Sequence, residues 1–338
     1  LVNRMVREGA HVQVRDLVLH PTIRELVPLL RLADTPEKQS DRAGVREMRS
    51  SSLTPIQYWF FGVFGAERNH FNHSEMLRSR KPLNRVAVTE ALRCVYELHD
   101  QLRARFQPIS SDGSAATAWS QIIPAPCDDP LLHEFDLRDE PDSEGRIVDL
   151  ANELQGGVDL SEGPLMTVGL FRCSDGDRLL FVIHHLIIDG VSWRILLDDF
   201  LSAYDVLAAG KTWKQPPKGA SYIEWAQALE VVSRSDHFAR QLAYWKNLSG
   251  FQSAVLPLHA MSAGRFRSEQ RHFSLSLDCD ETERLLVRVG AGSDLADWLL
   301  AGLGMVMGQW TGEEAHLIAY ETHGGHIIEG MPPLDISR

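Results

Sequence analysis

A run of five apolar residues at 179–183, Leu-Leu-Phe-Val-Ile, limits the fold of this chain more than any other segment. The run is short and has no polar position, so it predicts a strand that is buried on both faces of its sheet. Two histidines, His184 and His185, follow it directly. The sequence therefore predicts that a fully covered strand delivers an imidazole to the end of a sheet.

Helical patterns on both sides of this strand indicate a mixed α/β fold. Apolar residues recur at helical spacing between positions 88 and 102, and again between 196 and 204 after the turn dipeptide Asp189-Gly190. The second half predicts a helical region at 222–245, a half-buried strand at 273–277, a helix opened by a capping box of Asp280 with Glu283, an apolar helix at 295–310 and a strand at 317–320.

Changes in composition divide the chain into parts. Residues 1–32 are typical of the end of a small helical unit, and the polar residues 33–52 have the composition of a linker. The α/β pattern fills residues 53–210, and a loop-like stretch rich in Gly and Pro separates it from a last part at 221–338. The chain begins without Met or a signal peptide and ends without a helix stop, so we interpret both ends as cuts through a longer polypeptide.

Charge and cysteine content exclude several function classes. With 34 Lys and Arg against 46 Asp and Glu, the formal net charge is −12, so no basic field collects a phosphate backbone and no nucleic-acid partner is expected. No segment approaches the length of a membrane span, which predicts a soluble protein without a membrane partner. The four cysteines are far apart, which predicts reduced and partly buried thiols in a cytoplasmic protein.

The histidine pair is the candidate for chemistry. Successive side chains of a strand point to opposite faces, so one of His184 and His185 should face a cleft while the other packs. A neutral imidazole suits proton transfer near pH 7, and a turn at Gly190 would let the backbone approach a ligand. Asp189 is more suited to bracing the loop than to acting as a base. Taken alone, the pair also fits two core histidines, and neither H-E-x-x-H nor a clustered third ligand predicts a metal.

The segment from His184 to Trp193, HHLIIDGVSW, resembles the H-H-x-x-x-D-G signature of the condensation superfamily of nonribosomal peptide synthetases, whose fold is related to chloramphenicol acetyltransferase. In this family the second histidine is functional, which implies that His185 is catalytic here. The resemblance implies supporting roles for His184, Asp189, Gly190, Ser192 and Trp193.

Other segments resemble the epimerisation branch of the same superfamily. Residues 55–60, PIQYWF, match its opening motif, and residues 70–72 are similar to the H-F-N that follows it. Residues 99–103, HDQLR, and 159–165, DLSEGPL, resemble motifs shared by epimerisation and condensation domains. Residues 191–196, VSWRIL, resemble the sequence that follows D-G in the epimerisation branch. The assignment to this branch rests mainly on residues 55–60 and 191–196.

A second proton-handling residue is implied at Glu321. Epimerisation domains carry an E-G-H-G-R-E segment whose first glutamate faces the histidine across the cleft, and residues 321–326 read ETHGGH here. Glu321, His323 and Gly324 match, whereas the Arg and the last Glu are replaced by Gly325 and His326. The resemblance implies that His185 and Glu321 exchange a proton at Cα, and we expect burial near Ile318 and Ala319 to keep Glu321 partly protonated.

The resemblance implies an isomerase domain of an antibiotic-producing nonribosomal peptide synthetase. It would convert an L-aminoacyl or L-peptidyl thioester to the D form, with phosphopantetheine as the tether and no metal. Residues 1–32 resemble the end of an all-α carrier domain whose phosphopantetheine-bearing serine would lie before Leu1. The implied fold is a V of two α/β subdomains, at 53–210 and 221–338, with the second incomplete, so poor solubility or reduced activity is expected.

The expected partners are the carrier upstream and the condensation domain of the next module downstream. Two alternatives remain: a condensation domain, in which His185 assists amine attack, and a non-catalytic docking domain of the same fold. The wording of residues 55–60 and 191–196 argues against the first. The intact His185 and Asp189 argue against the second, while the altered residues 322–326 argue for it.

Overall fold

The computed structural model describes residues 10–11, 22–29, 31–32, 49–109, 118–126, 131–251, 256, 273–289, 295–321, 328, 330–332 and 334. Two compact units are present: Leu1–Phe238 together with His323–Arg338, and Ala239–Thr322. The predicted domain boundaries at 32, 52, 210 and 221 stay predictions.

Strands and helices are interspersed along the chain. The strands are β1 (Ala10–His11), β2 (Arg31–Leu32), β3 (Arg49–Ser51), β4 (Asn72–Ser79), β5 (Arg105–Ile109), β6 (Ala118–Ile123), β7 (Leu132–Asp136), β8 (Met166–Arg172) and β9 (Asp177–His184). The α-helices are α1 (Ile23–Leu26), α2 (Pro55–Val63), α3 (Arg85–Leu98), α4 (Ser143–Gly156), α5 (Gly190–Ala208), α6 (Tyr222–Ser233), α7 (Asp236–Ser249), α8 (Cys279–Val289) and α9 (Leu295–Thr311).

The strand predicted from the apolar run is β9, and it lies inside a four-stranded sheet with the order β4-β9-β8-β7. Both of its neighbours are antiparallel to it, while β7 and β8 are parallel. Helix α4 packs on β8 and β9, and Phe181 of β9 contacts Trp193 and Phe200 of α5. The prediction of a strand covered on both faces is confirmed, since every residue of β9 except Arg178 is buried.

The helices predicted next to this strand are present as α3 and α5, which pack against each other. The predicted stripe is buried, but α3 ends at Leu98, and Leu102 lies in the 3₁₀ turn Asp100–Arg103. The side chain of Asn84 caps the first turn of α3 by accepting from the Ala87 N–H. In α5, Leu196 and Phe200 are buried whereas Leu201 is 45% exposed, so the predicted apolar stripe is narrower than expected. A polar contact joins the end of α3 to α5, because His99 Nε2 lies 3.1 Å from Oδ2 of the buried Asp199.

A second sheet, β3-β6-β5, is antiparallel throughout. The motif at 99–103 holds the end of α3 beside it. Arg103 is buried and donates to Asp100 Oδ1 at 2.7 Å and to the Pro124 carbonyl at 3.2 Å. Burial acts to raise the pKa of Asp100, but hydrogen bonds from Arg103 and Lys218 outweigh it and leave that pKa below its ordinary value. This motif is therefore a structural clamp.

Residues 1–32 are expected to be all helical, but the described part of this segment also contains the short strands β1 and β2. Helix α1 ends at Leu26, and the chain continues as a 3₁₀ turn over Val27–Leu29. Pro28 explains the change, since proline supplies no N–H donor to continue an α-helix. The short strands β1 and β2 pair across this segment.

The second compact unit corrects two strand predictions. Residues 273–277 and 317–320 have no strand structure, and Phe273 and Leu275 are each 94% exposed. Alternating apolar residues form a strand only where a partner strand accepts their backbone hydrogen bonds, and none of the described strands pairs with either segment.

The helix predicted after 280 is present as α8, but its capping box lies two residues earlier than predicted. Asp278 Oδ1 accepts from the Glu281 N–H at 2.7 Å, and Glu281 Oε2 accepts from the Asp278 N–H at 3.1 Å. The apolar helix at 295–310 is confirmed as α9. None of the helices in the described ranges has both the length and the apolar composition needed to cross a bilayer.

Candidate active site

His184 is the last residue of β9 and is completely buried. Its Nδ1 accepts from the Leu186 N–H at 3.1 Å, so Nε2 carries the proton and donates to the Arg68 carbonyl at 2.8 Å. The edge of the ring meets Phe60, with 5.6 Å between centroids. Burial lowers the pKa of His184 to about 4, although the bond to the Arg68 carbonyl acts the other way. His184 is therefore a neutral packing residue at pH 7.

His185 begins the 3₁₀ turn His185–Ile187 and is only partly buried. Its backbone N–H donates to the Phe71 carbonyl at 2.8 Å. Its Nδ1 lies 2.8 Å from the Ile188 carbonyl, and a carbonyl can only accept, so Nδ1 carries the proton. In the neutral ring the lone pair is then on Nε2. This is the tautomer that a general base needs if it takes a proton at Nε2.

Asp189 is the N-cap of α5. Its Oδ1 accepts from the Val191 N–H at 3.0 Å, the Ser192 N–H at 2.7 Å and the Ser192 hydroxyl at 2.7 Å. Trp193 follows in the first turn, buried, with its N–H on the Asp189 carbonyl at 3.0 Å. The carboxylate thus fixes the helix that starts directly after the histidine loop.

Gly190 is the first residue of α5, so the prediction of a turn at Asp189-Gly190 is wrong. The chain enters the helix directly because Asp189 caps it. Gly190 is not among the glycines with positive φ. A Cβ built at this position would meet no described atom within 4 Å, so the space beside the loop is open and would admit a larger side chain.

Residues 159–165 hold the segment 68–71, in which the carbonyl of Arg68 accepts from His184 and that of Phe71 accepts from His185. Asn69 Nδ2 donates to Asp159 Oδ2 at 3.0 Å, and Asn69 Oδ1 accepts from the Leu160 N–H at 3.2 Å. Gly163 has a φ of 65°, a region that a Cβ disfavours, and a Cβ there would lie 3.2 Å from Nε of Arg105. The motif at 159–165 therefore braces the chain just before Phe71, which accepts from His185.

The motif at 55–60 forms the start of α2, with Thr54 as N-cap and Gln57 in a capping box. Gln57 Nε2 also donates to Oε1 of the buried Gln121 at 2.7 Å. Residues that resemble family motifs at 55–60, 99–103 and 159–165 thus have structural roles in this chain.

Glu321 lies in an irregular, exposed stretch at the end of the second compact unit. The expected burial of Glu321 beside Ile318 and Ala319 is wrong, because all three residues are exposed. None of the described strands pairs with this stretch. His323 and the rest of residues 322–326 lie outside the described residues.

Sequence reasoning missed His73 and Tyr222. The ring of His73 lies against that of His185 with 3.7 Å between centroids and a tilt of 30°, and no local pattern in the sequence indicates this contact. Tyr222 is half-buried, with its hydroxyl 3.0 Å from Thr54 Oγ1, and no local pattern marks it. Burial raises the pKa of Tyr222, and the charge of Asp189 adds to this effect, whereas the bond to Thr54 opposes it.

No group of three or more metal-ligating side chains lies together within the described ranges. Of the cysteines, Cys173 is buried, Cys94 is half-buried and Cys279 is exposed, so the prediction of partly buried thiols is wrong for Cys279. Burial raises the pKa of the thiols of Cys94 and Cys173. Cys127 lies outside the described residues.

Comparisons with known sequences match the chain to one family model. The model, described as Condensation domain, covers residues 48–326. A mycosubtilin synthase polypeptide of Bacillus subtilis is 35% identical over 347 residues, covering 99% of this chain and 12% of the relative. Tyrocidine synthase 2 of Brevibacillus parabrevis is 34% identical over 330 residues, covering 96% and 9%. The chain thus spans only a small part of the length of these curated relatives.

Comparisons with solved structures confirm the mixed α/β fold class. The epimerization domain from the third module of tyrocidine synthetase B is 36% identical, with a TM-score of 0.70, covering 79% of this chain and 59% of that one. The first condensation domain of the calcium-dependent antibiotic synthetase, in complex with a substrate analogue, is 20% identical with a TM-score of 0.56, covering 78% and 61%. At that identity the second likeness concerns the fold alone.

Proposed function

This chain belongs to the condensation-domain family, and from that premise we propose that it epimerises an acyl group from L to D at Cα. The substrate is an aminoacyl or peptidyl thioester held on the phosphopantetheine arm of a carrier domain. One observation carries the choice of branch. Over nearly the same share of the chain, identity is 36% to a solved epimerization domain and 20% to a solved condensation domain.

The geometry of His185 supports a proton-transfer role. The Cα–H of a thioester is a far weaker acid than an imidazolium, so its removal needs a well-placed base and stabilisation of the enolate oxygen. Nε2 of His185 has the lone pair for this step, and the space beside Gly190 is open. The C–H electron pair moves into the enolate, the proton moves to the base, and a proton returned to the opposite face gives the D centre.

We assign Glu321 as the second group of this reaction. Its position follows from the match of residues 321–326 to the motif of the epimerisation branch. A carboxyl group and an imidazole on opposite faces of Cα can alternate as acid and base. A single group on one face cannot both remove the proton and return one to the other face. His185→Gln and Glu321→Gln should therefore both abolish epimerisation.

The likeness to these synthases supports a place in a nonribosomal peptide synthetase that makes an antibiotic-type peptide. The relatives align with 96% or more of this chain, so similarity extends to residues before 48. We infer a carrier domain upstream, which presents the thioester, and a condensation domain downstream, which takes the D product.

A condensation activity is the second candidate, because the same His185 tautomer could take the proton from an attacking amine. A docking role without catalysis is the third, and the altered residues 322–326 favour it. The three candidates differ in what happens to the substrate: exchange at Cα, formation of a peptide bond, or neither.

The test mixes the 338-residue chain with a carrier domain that bears an L-aminoacyl or L-peptidyl thioester, in deuterated buffer. The proposal expects deuterium and the D isomer to accumulate together at Cα, and both to fall in His185→Gln and Glu321→Gln. A matched control is His133→Gln, since His133 is exposed on β7 of the same sheet as β9.

Two results would replace the proposal. If no exchange occurs but an acceptor amine on a second carrier gives a peptide bond, the chain is a condensation domain. If neither reaction occurs while the carrier binds, the docking role takes precedence.

A further inference from the structure

The pairing of β4 with β9 places His73 beside the candidate base. Asn72 lies opposite His184, and His73 lies opposite Ile183. The bond from the His185 N–H to the Phe71 carbonyl continues this pairing by one position. Side chains two apart on a strand share a face, so Phe71 and His73 both lie on the face of Ile183, and His73 is the diagonal neighbour of His185.

Two flat rings lie against the imidazole of His185. The His73 ring is 3.7 Å away between centroids and tilted by 30°, and the Phe71 ring is 5.1 Å away and tilted by 23°. The torsion that turns a histidine ring about its Cβ–Cγ bond is broad, so packing must define its angle. The hydrogen bond to the Ile188 carbonyl selects which edge of the ring faces the backbone. The rings of Phe71 and His73 pack against the imidazole of His185 and oppose its rotation about the Cβ–Cγ bond.

We propose that His73 is a positioning residue that holds the ring of His185 in the plane from which Nε2 can accept a proton. The lone pair of Nε2 lies in the plane of the ring, so a tilted ring points away from its target. The catalytic part of this inference rests on the proposed epimerisation, whereas the orientation of the free ring does not. His73 lies outside the motif at 70–72, and its flat ring is the property that matters.

The role predicts a specific order among variants. His73→Ala removes the stacked ring, so the His185 ring tilts, its bond to Ile188 weakens, and both neutral tautomers become populated. His73→Phe supplies a flat ring without nitrogen and restores the single tautomer. His133→Gln, which changes an exposed histidine on β7 of the same sheet, leaves the tautomer unchanged.

The first experiment is nitrogen NMR of the 338-residue chain with ¹⁵N-labelled histidine and no substrate. The signals of His185 are identified by their loss in His185→Gln. The proposal expects Nδ1–H alone in the wild type and in His73→Phe, and a mixture in His73→Ala. It is overturned by a mixture in the wild type, by a single tautomer in His73→Ala, or by a mixture in His73→Phe.

The second experiment measures Cα deuterium exchange with the carrier-bound thioester. Misplacing a catalytic group lowers the rate of the chemical step, so kcat of His73→Ala should fall about 10-fold with KM within about twofold, and His73→Phe should recover most of it. A fall in His73→Phe equal to that in His73→Ala would overturn the positioning role. Absence of exchange in the wild type would refute the epimerase proposal instead, and the NMR result would still decide the orientation of His185.

Discussion

The neutral state of buried His184 should make the stability of this chain depend on pH in a specific way. Burial lowers the pKa of His184 from its ordinary value of 6.5 to about 4. The unfolded chain therefore binds a proton at this ring more readily than the folded chain does. The contribution of His184 is complete above pH 6.5 and is lost as the pH falls towards 4.

The size of the effect follows from the two pKa values. At pH 5 the ring is almost fully protonated in the unfolded chain and mostly neutral in the folded one. Linkage then gives a loss of roughly 2 kcal/mol between pH 7.5 and pH 5, and roughly 3 kcal/mol by pH 4. The ring is 0% exposed, so solvent does not screen this effect.

The assay is urea unfolding followed by circular dichroism at pH 7.5 and pH 5 for the wild type and His184→Gln. An amide can both accept from the Leu186 N–H and donate to the Arg68 carbonyl, but it does not titrate in this range. Other titrating groups are the same in both chains, so the difference between their pH dependences isolates His184. His133→Gln is the control and should behave as the wild type.

The expected result is that His184→Gln loses about 2 kcal/mol less than the wild type between pH 7.5 and pH 5. Equal losses in the two chains would show that burial does not lower the pKa of His184. They would mean that His184 titrates as it does in the unfolded chain, and its assignment as the packing histidine would fail.

Three further substitutions test the supports of the site by the same urea assay. Asp189→Ala removes the cap of α5 and should cost about 1–2 kcal/mol, and no change would contradict the role as N-cap. Gly163→Ala puts a Cβ at a φ of 65° and 3.2 Å from Nε of Arg105, so it should lower the free energy of unfolding by about 1–2 kcal/mol. Its control is Gly62→Ala, which lies in α2 with no described atom near its Cβ and should stabilise the chain by about 0.5–1 kcal/mol. Equal effects of the two substitutions would show that the φ of Gly163 does not matter. Tyr222→Phe leaves the buried Thr54 hydroxyl without this bond and should cost about 1 kcal/mol, and a stabilised variant would show that the bond contributes nothing.

The sequence was sufficient for the parts of the fold that depend on local pattern. The buried strand at 179–183 and the helix at 196–204 follow from apolar periodicity, and the structure has them. The helix predicted over 88–102 is present only as far as Leu98, and a 3₁₀ turn over Asp100–Arg103 follows it. The strands at 273–277 and 317–320 are wrong because alternation describes one strand, whereas a strand also needs a pairing partner. Asp189-Gly190 is read as a turn from its composition, but the side chain of Asp189 caps a helix instead.

The candidate site is only partly accessible to sequence reasoning. That one of two adjacent histidines is buried while the other is more exposed follows from strand geometry, but the choice of His185 for chemistry came from resemblance and stays a proposal. The tautomers depend on carbonyls of Arg68 and Ile188, which no motif identifies. His73 reaches His185 only through the register of β4 with β9, a long-range property of the sheet.

We propose that the two adjacent histidines have different roles, His185 in chemistry and His184 in packing. The most direct measurement compares His185→Gln and His184→Gln in the rate of Cα deuterium exchange and in the free energy of unfolding. We expect a rate at least about 100-fold lower for His185→Gln with little change in stability, because a general base typically contributes that much. For His184→Gln we expect a changed free energy of unfolding. The rate of Cα deuterium exchange by the folded variant should stay within about 10-fold of the wild-type rate. The reverse pattern, with exchange lost in folded His184→Gln and retained in His185→Gln, would contradict it.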